Sequence, residues 1–173
     1  FVHMATADPG FNVQVAKKSK FASFDPGQDL LRYTPDELEL ILANIDILLA
    51  NNHEMSLMAD MLGLELPELI ASVPIAVTTL GVEGSVLCMD GEEYRIPAVR
   101  VEAVNPTGAG DGYRAGFLTA LRRGYTLPDC CRIGAVVSSF VVEQIGPQTN
   151  LPDWNRMLRR YRKVFSEPGS TTS

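Results

Sequence analysis

Several features that define common protein classes are missing from these 173 residues. No run approaches the roughly 18 uninterrupted apolar residues of a membrane-spanning helix. The motif G-x-x-x-x-G-K-[ST] does not occur, so the chain is not a P-loop nucleotidase. A G-x-G-x-x-G turn followed about 20 positions later by an acidic residue does not occur either, and a dinucleotide-binding fold is therefore unsupported.

Positive charge is also scarce, with 15 Lys and Arg against 21 Asp and Glu and a net charge of −6. Nucleic acid demands a basic patch, so it is not expected as a partner. One basic run, at 156–163, lies at helical spacing beside Trp154 and Met157. We interpret this run as the solvated face of a terminal helix rather than as a binding stripe.

Cysteine is rare and has no metal-binding spacing. The three residues are Cys88, Cys130 and Cys131, an odd number of which two are adjacent. This usage predicts buried thiols in a reducing compartment. No signal-peptide pattern is recognised, so a cytoplasmic protein is expected.

What is present is a globular chain, 46% hydrophobic, in which apolar runs alternate with helical patterns. Such alternation indicates βαβ units on a mostly parallel sheet. We predict one domain over 1–165 and a flexible tail over 166–173. The predicted strands are 2–5, 21–24, 45–50, 73–80 and the hairpin 85–89 with 94–97, and the predicted helices are 11–18, 35–43, 111–123 and 128–144.

The segment 104–117 carries the strongest functional signal, because three glycines fall within the five positions 108–112 and Asp111 stands among them at the start of a helix. The turn is expected to leave the N–H groups of Gly108, Ala109 and Gly110 unpaired at the positive end of the helix dipole, which suits a phosphate. A carboxylate there is suited to accept the proton of an attacking hydroxyl. The alternatives are a tight loop and an Asp that offsets the helix dipole.

Two further segments follow predicted strands. Asn51 and Glu54 lie just past a strand's carboxyl end, where ligands bind in open α/β sheets. The same residues also fit the capping box of the next helix, and both interpretations can hold together. After the next strand, Gly81 and Gly84 permit close approach to a flat ligand or, alternatively, only introduce a hairpin.

Together these segments resemble the ribokinase-like kinases, the family of ribokinase, fructokinase and adenosine kinase. The stretch Asn-Pro-Thr-Gly-Ala-Gly-Asp-Gly-Tyr-Arg-Ala-Gly-Phe at 105–117 resembles the family's second signature, and its continuation looks most like the adenosine kinase branch. Asn-Asn-His-Glu at 51–54 is similar to the N-x-x-E motif. The nucleotide-binding motif T-L-G-x-x-G of the family is similar to Thr-Leu-Gly-Val-Glu-Gly at 79–84. The strand-end motif D-P-x-Q of nucleoside kinases is similar to Asp-Pro-Gly-Gln at 25–28.

The resemblance implies a three-layer α/β/α fold and a set of site residues. The implied anion hole is Gly108, Ala109 and Gly110, with Asp111 as the catalytic base. Binding of ATP is implied for Asn51, Thr79, Gly81, Gly84, Thr107 and Gly146. Glu54 would hold Mg²⁺ through water. Asn105 stands where many relatives have Asp, and it would offer K⁺ a side-chain oxygen without a negative charge.

Members of the family are about twice as long, and no Gly-Gly-x-x-x-Asn substrate motif occurs here. We therefore expect this chain to be the C-terminal half of a kinase, without a lid and inactive alone. Its expected partner is an N-terminal half, and the full-length form is expected to be a homodimer. The expected activity is ATP-dependent transfer of the γ-phosphate to a hydroxymethyl group of an adenosine-type nucleoside. A sugar kinase of the ribokinase or fructokinase type and a non-catalytic nucleotide-binding fragment are the alternatives.

Overall fold

The structure is a computed structural model that describes residues 1–166. Apart from Ser166, the predicted tail at 166–173 lies outside the described residues. The strands are β1 Val2–Met4, β2 Ala22–Phe24, β3 Ile47–Asn51, β4 Ile75–Thr79, β5 Ser85–Met89 and β6 Glu92–Ile96. The α-helices are α1 Pro9–Lys18, α2 Pro35–Leu42, α3 Asn52–Leu62, α4 Leu66–Ala71, α5 Ala109–Arg122, α6 Leu127–Val142 and α7 Trp154–Phe165.

The six strands form one sheet in the order β1-β2-β3-β4-β5-β6, with helices on both sides. Strands β1 to β4 pair in parallel, and Asn51 at the end of β3 pairs in register with Thr79 at the end of β4. Strands β5 and β6 form the predicted hairpin through Asp90 and Gly91, whose φ angles are 53° and 76°. The predicted α/β class with a mostly parallel sheet is confirmed.

The chain divides into two compact units, and the first contains residues 1–79 with 88–93. Its helix α2 is capped by Thr34, which forms a capping box with Glu37, and it buries Leu38 and Ile41 against the core. Strand β3 is buried over four of its five residues, as expected for a strand covered on both faces. The short helix α4 was not predicted, because six residues are too few to show a helical period.

The second unit contains residues 80–87 and the described chain from residue 94 onward. Its helices α5 and α6 pack closely through glycine. A Cβ on Gly116 would lie 2.8 Å from Val137 Cγ2, and one on Gly134 would lie 2.9 Å from the Tyr113 carbonyl oxygen. The small residues of α6 around Gly134 therefore serve close helix packing.

Two sequence-based expectations are wrong in detail. Arg160 does not lie on a solvated face, because its guanidinium stacks 3.5 Å from the ring centroid of Phe140 and pairs with Glu143. Cys88 is only half-buried, whereas all three thiols were expected to be buried. Cys130 and Cys131 are buried as predicted, and burial raises the pKa of each thiol to about 12.

Within residues 1–166, no helix combines the length and apolar character needed to cross a membrane.

Candidate functional site

The segment that leads into α5 is held by the end of α6. The N–H groups of Val104 and Asn105 both donate to the Val142 carbonyl, at 2.7 and 3.1 Å. The Asn105 side-chain oxygen Oδ1 accepts the N–H of Thr107 at 2.8 Å, which closes a local turn. Asn105 therefore has a structural task in the loop, and its suggested contact with K⁺ remains a prediction.

Gly108 is the cap residue of α5 and supplies no side chain to the helix start. Its φ of 83° lies in the left-handed region, and a Cβ there would stand 2.4 Å from Pro147 Cβ. Both the backbone conformation and the space therefore require glycine at this position. Pro147 carries no recognisable signal in the sequence, because its role depends on a contact with a distant turn.

The predicted set of open N–H groups is wrong at one position. The Ala109 N–H donates to the Pro106 carbonyl at 3.1 Å, because the chain closes a tight turn there before the helix begins. The N–H groups of Gly108, Gly110 and Asp111 have no acceptor within residues 1–166. A phosphate fits these unsatisfied donors, which stand at the positive end of a helix of 14 residues.

Asp111 places a carboxylate in the same first turn. Its Oδ1 accepts a hydrogen bond from Arg114 one turn later, and the side chain is 76% exposed. The second oxygen, Oδ2, has no partner among the described residues and faces solvent. The arrangement offers one oxygen fixed by an ion pair and another available to accept a proton.

The loop from Gly81 to Gly84 is a single 3-10 turn closed by the Leu80 N–H, which donates to the Gly84 carbonyl at 2.8 Å. Gly84 has a φ of 100°, and a Cβ there would meet the Ile96 carbonyl at 2.1 Å. At this glycine the close approach is therefore to the protein's own chain. Gly81, with a φ of 58°, has nothing within 4 Å of its Cβ position, so space beside it is open.

The start of β5 is linked to α5 by a buried hydrogen bond. Ser85 Oγ and Tyr113 Oη lie 2.8 Å apart, directly after Gly84 and two residues after Asp111. Burial raises the pKa of Tyr113 well above its ordinary value, so the phenol stays neutral. Tyr113 belongs to the motif at 105–117 and Ser85 directly follows the motif at 79–84, but their pairing across a long stretch of chain was not predicted.

In the first unit, Asn51 and Glu54 form the predicted capping box. Asn51 Oδ1 accepts the Glu54 N–H at 2.9 Å, and Glu54 Oε2 accepts the Asn51 N–H at 2.8 Å. The Asn51 amide nitrogen has no partner among the described residues, so it can donate to a ligand. Thr79 lies beside Asn51 through the strand register.

A metal here would depend on water and phosphate. The described residues contain no group of three or more His, Cys, Asp or Glu side chains able to hold an ion. Mg²⁺ commonly takes one or two carboxylates and completes its shell with water and phosphate oxygens, so the single carboxylate of Glu54 fits it.

Gly146, predicted to contact ATP, has a φ of 102°, and its carbonyl accepts the Thr149 hydroxyl at 3.0 Å.

The structure thus groups the predicted residues in two sets. Asn51, Glu54 and Thr79 lie together in the first unit. The second unit contains the turn at 105–111, the loop at 81–84, and the segment at 146–147 that packs against Gly108.

The chain is similar to known kinases in both sequence and fold. The sequence profile of the pfkB family carbohydrate kinases matches residues 3–154. A nucleoside kinase from Methanocaldococcus jannaschii is 42% identical over 166 residues, which cover 94% of this chain and 55% of the relative. The crystal structure of the M. jannaschii nucleoside kinase superposes with a TM-score of 0.88 over 94% of this chain and 56% of that one.

A second structural neighbour is the Burkholderia thailandensis nucleoside kinase in complex with inosine. It has a TM-score of 0.91 and 24% identity, and the match covers 98% of this chain and 58% of that protein. At that identity the likeness supports the fold alone. The chain spans about half the length of the curated relatives it matches. By the extent of the profile match and the identity to the M. jannaschii kinase, the chain belongs to the pfkB family of carbohydrate kinases.

Proposed function

We propose that this chain supplies the catalytic part of a kinase that transfers the γ-phosphate of ATP to a hydroxymethyl group of a nucleoside. The observation that carries the proposal is the start of α5, where open N–H groups and the exposed carboxylate of Asp111 occur in one turn. The donors suit a phosphoryl group that gains charge during transfer, and the carboxylate suits the departing proton.

In the second unit, the N–H groups of Gly110 and Asp111 donate to phosphoryl oxygens, and Asp111 Oδ2 accepts the proton of the attacking hydroxyl. Arg114 keeps the carboxylate oriented while this happens. Gly81 leaves open space for a flat group of the nucleotide. Thr107 and Gly146 are proposed as further nucleotide contacts because of the family resemblance.

In the first unit, the Asn51 amide and Thr79 are proposed to bind nucleotide phosphate, and Glu54 is proposed to hold the water ligands of Mg²⁺. Mg²⁺ supplies neutralisation of phosphate charge when it is bound. The capping box fixes the position of both side chains before any ligand arrives. A K⁺ ion near Asn105, a homodimer and a cytoplasmic location remain predictions.

A nucleoside acceptor is favoured over a sugar. Relatives that are 42% identical are nucleoside kinases, whereas a ribokinase from Arabidopsis thaliana is 33% identical over 161 residues. The adenosine-type acceptor follows from the resemblance of 114–118 to the adenosine kinase branch. A sugar kinase remains the second candidate, since the profile that matches 3–154 describes carbohydrate kinases as a class.

A chimera tests the activity. In it, this chain replaces the matching 55% of the M. jannaschii nucleoside kinase, and transfer from ATP–Mg²⁺ to adenosine, inosine, ribose and fructose is measured. We expect phosphorylation of nucleosides by the chimera and only ATP binding by the chain alone. Because the substrate motif of the chimera comes from the M. jannaschii enzyme, the acceptor is tested separately with the full-length protein, where a preference for ribose or fructose would favour the sugar kinase. ATP binding by the chimera without any turnover would favour the non-catalytic alternative.

The role of Asp111 is tested in the same chimera by Asp111→Asn. We expect turnover to fall about 10²–10⁴-fold, since the amide cannot accept the proton, while ATP affinity changes little. Asp153→Asn is the matched control, because Asp153 caps α7 and Asn caps a helix equally well. Unchanged turnover in Asp111→Asn would remove Asp111 from the mechanism.

A further inference from the structure

Helix α7 holds the last turns of α6 mainly through one arginine. Arg160 Nη1 donates to Ser139 Oγ at 2.9 Å, and Nη2 lies 3.0 Å from both carboxylate oxygens of Glu143. The guanidinium carbon stands 3.5 Å from the ring centroid of Phe140. Planar hydrogen bonding to a carboxylate combined with stacking is specific to arginine, and lysine does not reproduce it.

The chain that follows α6 is fixed by a second contact with the same helix. Asn150 is buried, and its amide nitrogen donates to the Phe140 carbonyl at 2.7 Å. Arg156 Nη2 donates to Asn150 Oδ1 at 2.9 Å, and its guanidinium carbon lies 4.6 Å from the Phe140 ring centroid. We call these contacts the α7 brace, formed by Ser139, Phe140, Glu143, Asn150, Arg156 and Arg160.

The segment held by the α7 brace also contacts the phosphate turn. Pro147, which lies between Glu143 and Asn150, fills the space beside Gly108. The Val142 carbonyl, one residue before Glu143, accepts the N–H groups of Val104 and Asn105. Residues 142–150 are therefore held in place by α7 and themselves hold the turn at 104–108 in place.

We propose that Arg160 is a positioning residue for phosphate binding, which acts by holding the end of α6 and the segment 143–150 against the turn at 104–108. Arg160 reaches the turn only through these intermediates. The part of the proposal that concerns phosphate transfer rests on the proposed function, whereas the mechanical coupling between Arg160 and the turn does not.

Three neighbouring positions on α7 allow a matched experiment. Arg160→Met keeps the aliphatic stem and removes the guanidinium. Tyr161→Phe removes a buried hydrogen bond to Asp129, in the first turn of α6, so it lowers stability without touching the brace. Arg159→Ala removes an exposed arginine from the same helix turn.

The first readout needs no ligand. Amide hydrogen exchange is measured for Val104, Asn105 and Ala109, all of which are hydrogen-bonded in the structure. We expect Arg160→Met to raise their exchange rates about tenfold relative to Tyr161→Phe, with Arg159→Ala unchanged from wild type. Equal exchange in Arg160→Met and Tyr161→Phe would overturn the coupling, because general destabilisation would then explain both.

The second readout is ATP–Mg²⁺ affinity of the same variants, measured well below their melting temperatures. We expect about tenfold weaker binding in Arg160→Met, a smaller loss in Arg160→Lys and none in Tyr161→Phe. If wild type binds no ATP, the proposed function fails while the exchange comparison still decides the coupling. If Arg160→Met does not fold, Arg160→Lys replaces it in both readouts, and wild-type behaviour of Arg160→Lys would then overturn the proposal.

Discussion

Helices α3 and α5 both begin close to residues with predicted roles, but their first turns are built in opposite ways. At α3, the side chains of Asn51 and Glu54 satisfy each other's backbone N–H groups. At α5, Gly108 offers no side chain, and the N–H groups of Gly110 and Asp111 find no acceptor in the described chain. One helix start is closed by the protein itself, and the other is left open.

The open start is an exception within this chain. Among the described helices of at least eight residues, only α5 begins without a side-chain cap; the caps of the others are Asp8 for α1, Thr34 for α2, Asn51 for α3, Thr126 for α6 and Asp153 for α7. Glycine at a cap position typically costs only a few tenths of a kcal/mol of stability relative to Ser, Thr, Asn or Asp. The protein thus gives up a local stabilisation at the one helix start where free donors suit an anion.

Gly108→Ala should give the largest effect of any change at these helix starts. The new Cβ would clash with Pro147, and the alanine backbone would have to keep the left-handed φ of Gly108. We therefore expect the free energy of unfolding to fall by about 2–5 kcal/mol. Displacement of the turn should also abolish ATP binding. Chemical denaturation and calorimetric titration measure the two effects.

Gly63→Ala is the control for the cost of a left-handed backbone conformation without a steric clash. Gly63 ends α3 with a φ of 65°, and nothing lies within 4 Å of its Cβ position. We expect a loss of about 1–2 kcal/mol of stability with ATP affinity intact. Equal losses of stability in the two variants would mean that Pro147 does not restrict the turn as the structure indicates.

Asn51→Ala should give an intermediate effect, and Thr34→Ala is its partner, because both residues cap a helix through a capping box. Each should lower the free energy of unfolding by about 1 kcal/mol. Only Asn51→Ala should weaken ATP binding, by about tenfold, since the Asn51 amide is proposed to donate to a charged phosphate. Equal ATP affinity in both variants would reduce Asn51 to a helix cap.

The closed helix starts could be predicted from sequence because their signals are local. Thr34 and Glu37, like Asn51 and Glu54, stand three positions apart, so spacing alone indicates the hydrogen bonds that the structure contains. The same holds for the hairpin at Asp90 and Gly91, which depends on a two-residue turn.

The open helix start was predicted only in outline, because its geometry depends on distant residues. The glycines indicated a turn, but the bond between Ala109 and Pro106 moved the free donors toward Gly110 and Asp111. Neither the fit of Pro147 beside Gly108 nor the stacking of Arg160 on Phe140 has a sequence period that would reveal it. Charge alone suggested a solvated arginine, whereas a flat guanidinium can lie on an aromatic ring.

Glu54→Gln should give the smallest change in stability and the sharpest test of the closed start. Glutamine also completes a capping box, so the fold should lose only about 0.3–1 kcal/mol, from the missing negative charge near the helix N-terminus. Glu37→Gln, in the equivalent box of α2, should lose the same amount. If Glu54 holds Mg²⁺ through water, then Mg²⁺ should strengthen ATP binding by wild type and by Glu37→Gln but not by Glu54→Gln. An equal response to Mg²⁺ in the two variants would assign Glu54 to helix capping alone, and the start of α3 would then have no part in binding Mg²⁺.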